Sequence, residues 1–152
     1  MVEGWARAIA TLGVVVLLDQ ATKQAAVTSI GRGESTNVFL GLDLTNVRNK
    51  GVAFGFLSGG GAPLVVLTAL ALLLLLAYFA SHANTPLLWL PVGLLLGGAL
   101  GNLSDRARDG AVIDFIDPVA WPAFNLADAA IVLGVPTLLY VVEGVGRRGR
   151  AA

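Results

Sequence analysis

The chain of 152 residues has no cysteine, one histidine and only 13% charged residues. Disulfides, thiol nucleophiles and Cys/His zinc clusters are therefore excluded, and acid–base chemistry falls to carboxylates. Ten Lys and Arg balance ten Asp and Glu, so the net charge is zero and the basic footprint of a nucleic-acid binder is missing. No nucleic-acid partner is expected. What is plentiful is apolar: 56% of the residues are hydrophobic and 19 are glycine, a combined share well above the roughly half found in soluble domains.

The scarce charges are also unevenly spread. From Gly51 to Ser104, 54 residues in a row hold no Asp, Glu, Lys or Arg. That is far beyond the ~18 apolar residues that mark a membrane span. One helix of that length would extend roughly 80 Å against a hydrocarbon core of about 30 Å, so the chain must turn back. The break is legible at Ser81-His82-Ala83-Asn84-Thr85-Pro86. The expected fold is an α-helical polytopic membrane protein forming a single membrane domain over residues 1–152. Its four transmembrane helices run over about 6–26, 62–80, 87–103 and 125–142. A small extracytoplasmic β-containing segment is expected between helices 1 and 2, where short apolar alternations occur around Val38 to Leu44. The extramembrane segments are then about 27–61 and 104–124, on one side, with both termini on the other. A cleaved signal peptide over residues 1–26 is the competing reading of the N-terminus. Its positive region would be only Arg7 beside Glu3, and Asp19-Gln20 is a poor approach to a cleavage site.

Counting Lys and Arg does not settle orientation. Arg7, Arg147, Arg148 and Arg150 stand on the terminal side, against Lys23, Arg32, Arg48, Lys50, Arg106 and Arg108 on the other. Taken literally, the positive-inside rule would put the loops in the cytoplasm.

Ionisable residues at membrane depth are functional candidates by default. Asp19 and Lys23 stand at i and i+4 on helix 1, in the favourable order for a helical ion pair, and a self-neutralising structural pair is the plainer reading. Asn102 and Arg106 repeat that spacing at the end of helix 3, where Arg106 could simply snorkel towards headgroups. Asn125 and Asp128 share a face on the opening turn of helix 4, and an acid there also compensates the helix dipole. Asp114 is embedded in Val112-Ile113-Asp114-Phe115-Ile116, unlike a solvated surface acid, although a turn or strand edge would also hold it. Asp114 and Asp128 are separated by Pro118 and Pro122, so no single helix presents both, but a bent return loop could bring them face to face. Two carboxylates about 4 Å apart at an effective dielectric near 20 repel by roughly 4 kcal/mol, so one keeps a proton while the other is ionised. That arrangement activates water against a peptide carbonyl, as in aspartic proteases. Asn102, Arg106 and Asn125 could orient the carboxylates or the substrate backbone.

Five blocks then carry a family resemblance. Asp19-Gln20-Ala21-Thr22-Lys23, Asn49-Lys50-Gly51-Val52-Ala53-Phe54, Gly101-Asn102-Leu103-Ser104-Asp105-Arg106, Val112-Ile113-Asp114-Phe115 and Phe124-Asn125-Leu126-Ala127-Asp128 resemble, in order and spacing, the signature blocks of bacterial lipoprotein signal peptidase. The resemblance covers nearly the whole chain. Departures are small: Gly55 stands where Ser is common, and Ser104 where a bulkier residue is frequent. The resemblance implies a membrane aspartyl endopeptidase, signal peptidase II, that frees diacylglyceryl-prolipoproteins from their signal peptides just before the lipidated Cys. It implies Asp114 and Asp128 as the catalytic pair, with Asn102, Arg106, Asn125, Asn49, Asp19 and Lys23 as supporting or substrate-binding residues. It further implies the bacterial inner membrane, cytoplasmic termini, an active site towards the outer face, membrane lipid as a partner, and a monomer without metal or cofactor.

Three other readings compete. A presenilin-type protease would need a Gly-x-Gly-Asp block that Gly98 to Asn102 does not supply. A small transporter or proton relay would spread its Asp and Lys across the membrane depth. An all-carboxylate metal cage of Asp105, Asp114, Asp117 and Asp128 would belong in a hydrated loop.

Overall fold

A computed structural model describes residues 1–51 and 62–150. The motif residues Val52, Ala53 and Phe54, the departure at Gly55 and the Gly59-Gly60-Gly61 run lie outside the described residues. The elements are α1 (Val2–Ser29), β1 (Ser35–Phe39), β2 (Leu42–Asn49), α2 (Ala62–His82), α3 (Trp89–Asp109), β3 (Val112–Pro118) and α4 (Leu126–Arg150).

Four helices were expected and four are found among the described residues, with shifted ends. α1 has no proline to stop it and runs on to Ser29. α3 continues past residue 103 to Asp109, so Asn102, Asp105 and Arg106 ride on regular helix. It stops at Gly110, whose left-handed φ of 68° lets its N–H bond the Arg106 carbonyl. α4 opens with a reciprocal cap. The Asn125 side-chain oxygen accepts the Asp128 N–H at 2.9 Å, and an Asp128 carboxylate oxygen accepts the Asn125 N–H at 3.3 Å.

The helices meet around α3, which lies between α1 and α4. Its glycines allow this. A Cβ on Gly97 would lie 2.7 Å from Val15 Cβ, and one on Gly98 would lie 2.4 Å from the Ala127 carbonyl oxygen. Backbones this close are the signature of small-residue helix packing. α2 stands to the side, joined at its far end to a core of Ala8, Phe79, Leu88, Val92, Leu96 and Val141. That core occupies the end of the bundle away from the strands, which follow the C-termini of α1 and α3.

The segment between α1 and α2 does contain strands, but the sheet is larger than expected. Its order is β1-β2-β3, all antiparallel, and β3 comes from the second loop. Two separate interhelical segments thus make one sheet. The reason is local: Val112-Ile113-Asp114-Phe115-Ile116 is β-branched and aromatic, and β2 offers it a free edge. Beyond β3, Pro118 ends the strand, and paired bonds of 2.9 Å between Phe124 and Ile116 fold the chain back onto itself. The proline-bent return therefore exists, and it delivers Asn125 to the start of α4.

Val65–His82 and Leu126–Gly144 are long and apolar enough to cross a membrane. Leu67, Leu70, Leu73 and Leu74 on α2, Val132, Leu133 and Leu139 on α4, and Val14, Leu17 and Leu18 on α1 are all exposed. A surface so rich in contiguous aliphatic side chains is made for lipid or protein, not for water.

Candidate active site

The polar residues of the bundle gather where α1, α3 and α4 meet the sheet. Asp114, on β3 opposite Val47, is buried and accepts at both oxygens: from Asn49 Nδ2 at 2.9 Å and from Asn125 Nδ2 at 2.7 Å. Asp128, in the first turn of α4, accepts from Asn102 Nδ2 at 2.7 Å and from the Asn125 N–H at 3.3 Å. Asn125 thus contacts both acids, and the strand and the helix present them to one another.

Each of the three amides is oriented by a group that can only donate. Asn49 Oδ1 is taken by the Gly51 N–H at 2.8 Å, which turns its NH₂ towards Asp114. Asn125 Oδ1 is taken by the Asp128 N–H, which turns its NH₂ towards Asp114 and Asn102. Asn102 Oδ1 is taken by the Lys23 ammonium at 3.0 Å, which turns its NH₂ towards Asp128. An ammonium has three donors and no acceptor, so an Asn102 flipped end for end would set two donors against each other.

Lys23 is fully committed. Its Nζ lies 2.8 Å from Asp19 and 2.7 Å from Asp105, with all three side chains buried. The expected self-contained Asp19–Lys23 pair is thus corrected: Lys23 is shared with a second carboxylate from α3. Asp19 in turn accepts the Ala127 N–H at 2.9 Å, capping the α4 N-terminus from α1. Asp105 accepts from Gln20 at 3.0 Å, Arg108 at 3.2 Å and the Ile113 N–H at 3.3 Å, which ties α3 to β3. Asp105 and Gln20 are the residues that sequence reasoning passed over as part of this cluster. The available signal was Asp105 falling three residues after Asn102, on the α3 flank that faces α1.

Asp114 sits in a changed electrostatic setting. Burial is the largest influence and pushes its carboxyl above the usual range near 3.8; the Asn49 and Asn125 donors oppose this, and the nearby Asp128 charge adds to it. Asp114 meets open space. A cavity of about 370 Å³ is lined by Val47, Arg48, Asn49, Lys50, Asp114, Pro122 and Ala123. A second, of about 180 Å³, opens between α2, α3 and α4 against Asn102, Leu103 and Arg106. Arg106 reaches only the Asn102 carbonyl, at 3.5 Å, among the described residues; it lines the second cavity and is not brought to either acid. The four-aspartate cage is not assembled. Asp105 is turned to Lys23, and Asp117 pairs across the sheet with Asp43.

Two carboxylates delivered by separate elements and held by amide donors, one of them lining a cleft, are an arrangement suited to an aspartic hydrolase. Comparison with known proteins narrows the class. The family described as signal peptidase (SPase) II matches residues 11–143, and the chain belongs to it. Among its relatives, the lipoprotein signal peptidase of Moorella thermoacetica is 44% identical over 140 residues, covering 90% of this chain and 93% of the relative. That of Halothermothrix orenii is 39% identical over 127 residues, covering 83% and 88%. A solved bacterial membrane enzyme, determined by the in meso method, is 34% identical with a TM-score of 0.81, covering 89% of this chain and 91% of its own. The chain is accordingly a peptidase of a bacterial inner-membrane family.

Proposed function

We propose that this chain removes signal peptides from diacylglyceryl-modified prolipoproteins, cutting just before the lipidated Cys, with Asp114 and Asp128 as the catalytic carboxylates. The observation that carries this reading is the double hold of Asn125 on both acids, with Asp114 lining an open cleft.

The pair shares one proton, which burial favours on Asp114. Asp128 then takes a proton from water, and the water oxygen attacks the scissile carbonyl carbon. Asp114 gives its proton to the carbonyl oxygen, so a neutral gem-diol forms without a free oxyanion. In the collapse, Asp114 recovers a proton from a hydroxyl as the C=O re-forms, and Asp128 passes its proton to the departing nitrogen. The C–N bond breaks, leaving a signal-peptide carboxyl and a free amine on the lipidated Cys, with both acids restored. Asn49, Asn102 and Asn125 hold the carboxylates in place, Asp19 and Lys23 support them from α1, and Arg106 faces substrate in the second cavity.

The four helices are read as four spans of one membrane domain, with cytoplasmic termini and the sheet on the outer face; the chain acts as a monomer and engages membrane lipid through its exposed aliphatic belt. The lipid on the substrate then has a physical purpose. Each buried methylene contributes about 0.8 kcal/mol of anchoring, which keeps the scissile bond at the depth of the helix ends where the acids sit. A transporter or proton relay is not favoured, because the buried ionisable residues Asp19, Lys23, Asp105 and Asp114 cluster at one end of the bundle. The deciding experiment offers purified enzyme the same precursor with and without its diacylglyceryl group: cleavage only of the lipidated form is expected, and equal cleavage would overturn the membrane-surface mechanism.

A further inference from the structure

Strand β2 carries one residue more than its partner needs. Leu42, Asp43 and Leu44 lie opposite Pro118, Asp117 and Ile116, whereas Val47, Arg48 and Asn49 lie opposite Asp114, Ile113 and Val112, so Thr45 and Asn46 together face Phe115 alone. This is a β-bulge. Its effect is on parity. Side chains alternate along a strand, so a one-residue slip carries each of them to the other face. Val112, Asp114 and Ile116 share a face of β3, and Leu44 stands on the same face of β2; in an unbroken ladder Asn46 and Arg48 would follow it there. With the bulge, Val47 and Asn49 do. The Asn49 amide is thereby set diagonally across from Asp114, donating to it at 2.9 Å, and Arg48 pairs instead with Asp109 at 3.2 Å.

The bulge is pinned in place from α1. Thr45 and Asn46 are both buried; the Thr45 hydroxyl donates to the Glu34 carbonyl at 2.9 Å, and Asn46 Nδ2 donates to the Ile30 carbonyl, at the end of α1, at 2.9 Å. Asn46 Oδ1 has no partner among the described residues. A buried oxygen left unpaired is destabilising and an apolar side chain would avoid it, so what this amide supplies is its bond to Ile30. The strand is held unequally on the two sides of the bulge. Leu42 to Leu44 lie between β1 and β3, but β1 pairs no further along than Thr45, and Val47 to Asn49 are paired with β3 alone. If the bulge were released, the singly held end would slip. We propose that Asn46 is a positioning residue for the active site: its bond to Ile30 keeps the extra residue of β2 where it is, and so presents Asn49 and not Arg48 to Asp114. The inference rests on the reading of Asp114 as a catalytic carboxylate. α1 then serves both acids, capping α4 beside Asp128 through Asp19 and fixing the strand that faces Asp114 through Ile30.

Cysteine pairs read the register directly, because the chain has no cysteine of its own. In the full-length protein the R48C/I113C pair should oxidise to a disulfide and the V47C/I113C pair should not, since Arg48 lies opposite Ile113 and Val47 is on the other face. Adding Asn46→Ala should lower the first yield several-fold and raise the second. In the otherwise native chain, Asn46→Ala should slow cleavage of a diacylglyceryl-prolipoprotein several-fold. Oxidising R48C/I113C in the Asn46→Ala protein should restore most of that cleavage by locking the strand. Disulfide yields that Asn46→Ala leaves unchanged would show that Asn46 does not set the register, and a slipped register with undiminished cleavage would show that the register does not serve the site; either overturns the proposal. A loss of cleavage without slip, unrecovered on oxidation, marks Asn46 as structural only and overturns it too. A parent protein that leaves the lipidated precursor intact fails the reading of function itself, and the positioning role with it, whatever the disulfides show.

Discussion

Asn125 donates its side-chain N–H to Asp114 at 2.7 Å while its side-chain oxygen accepts the backbone N–H of Asp128 at 2.9 Å. One residue therefore caps a helix and spaces two acids. The capping bond fixes which end of the amide faces Asp114, so the local stability of α4 and the geometry of the pair are the same interaction.

Replacing either acid tests the pair directly. Asp114→Asn and Asp128→Asn should each reduce cleavage of a diacylglyceryl-prolipoprotein by on the order of 10³-fold or more, since groups that act as a unit lose most of their effect together. Both proteins should remain inserted and helical by circular dichroism. Near-normal processing by either variant would remove that residue from the mechanism.

The proton on Asp114 sets a pH limit. Its carboxyl is raised, mainly by burial, so the protonated form persists above the usual carboxylate range and is lost as pH rises through the raised value. Cleavage should accordingly fall on the alkaline side of a bell-shaped profile. Asn49→Ala removes a donor that favours the ionised form, so the alkaline limb should move to higher pH even if the maximum rate drops. A limb that stays put would detach it from Asp114.

Lys23 is predicted to matter for both folding and alignment. Lys23→Met leaves Asp19 and Asp105 buried together without their cation, which should cost about 3–5 kcal/mol of stability. Adding Asp105→Asn should recover part of that loss in a thermal melt. Activity should recover less than stability does, because Asn102 would still lack the donor that orients its amide. Parallel recovery of both would show that Lys23 is structural only.

Much of this architecture is readable from residue order, and the remainder fails for identifiable reasons. The break between α2 and α3, the start of α4 and the candidacy of Asp114 and Asp128 follow from local cues: proline, cap spacing and an acid among large apolar residues. The third strand did not, because an edge pairing between two loops more than 60 residues apart leaves no periodic trace in either one. Asp105 was obscured for a related reason. In the sequence it neighbours Arg106, which invites a surface pair, whereas helix geometry turns it towards Lys23 on another helix.

Helix spacing gives a further test. Gly98→Ala would push against the Ala127 carbonyl, one residue before Asp128, whereas Gly13→Ala meets nothing within 4 Å. The first should lose about 1–3 kcal/mol and most activity; the second should be neutral or slightly stabilising. Equal melting temperatures for the two would contradict the tight approach of α3 to α4.

Asn102 has one more consequence, as the link between Lys23 and Asp128. An amide passes on the direction of a hydrogen bond but does not release a proton at ordinary pH. It behaves as an insulator, so the position of Asp128 is tied to that of the ammonium with no proton path between them. In the proposed mechanism the proton traffic runs between water, substrate and the two acids, and Asn102 offers it no side path towards the Asp19–Lys23–Asp105 cluster.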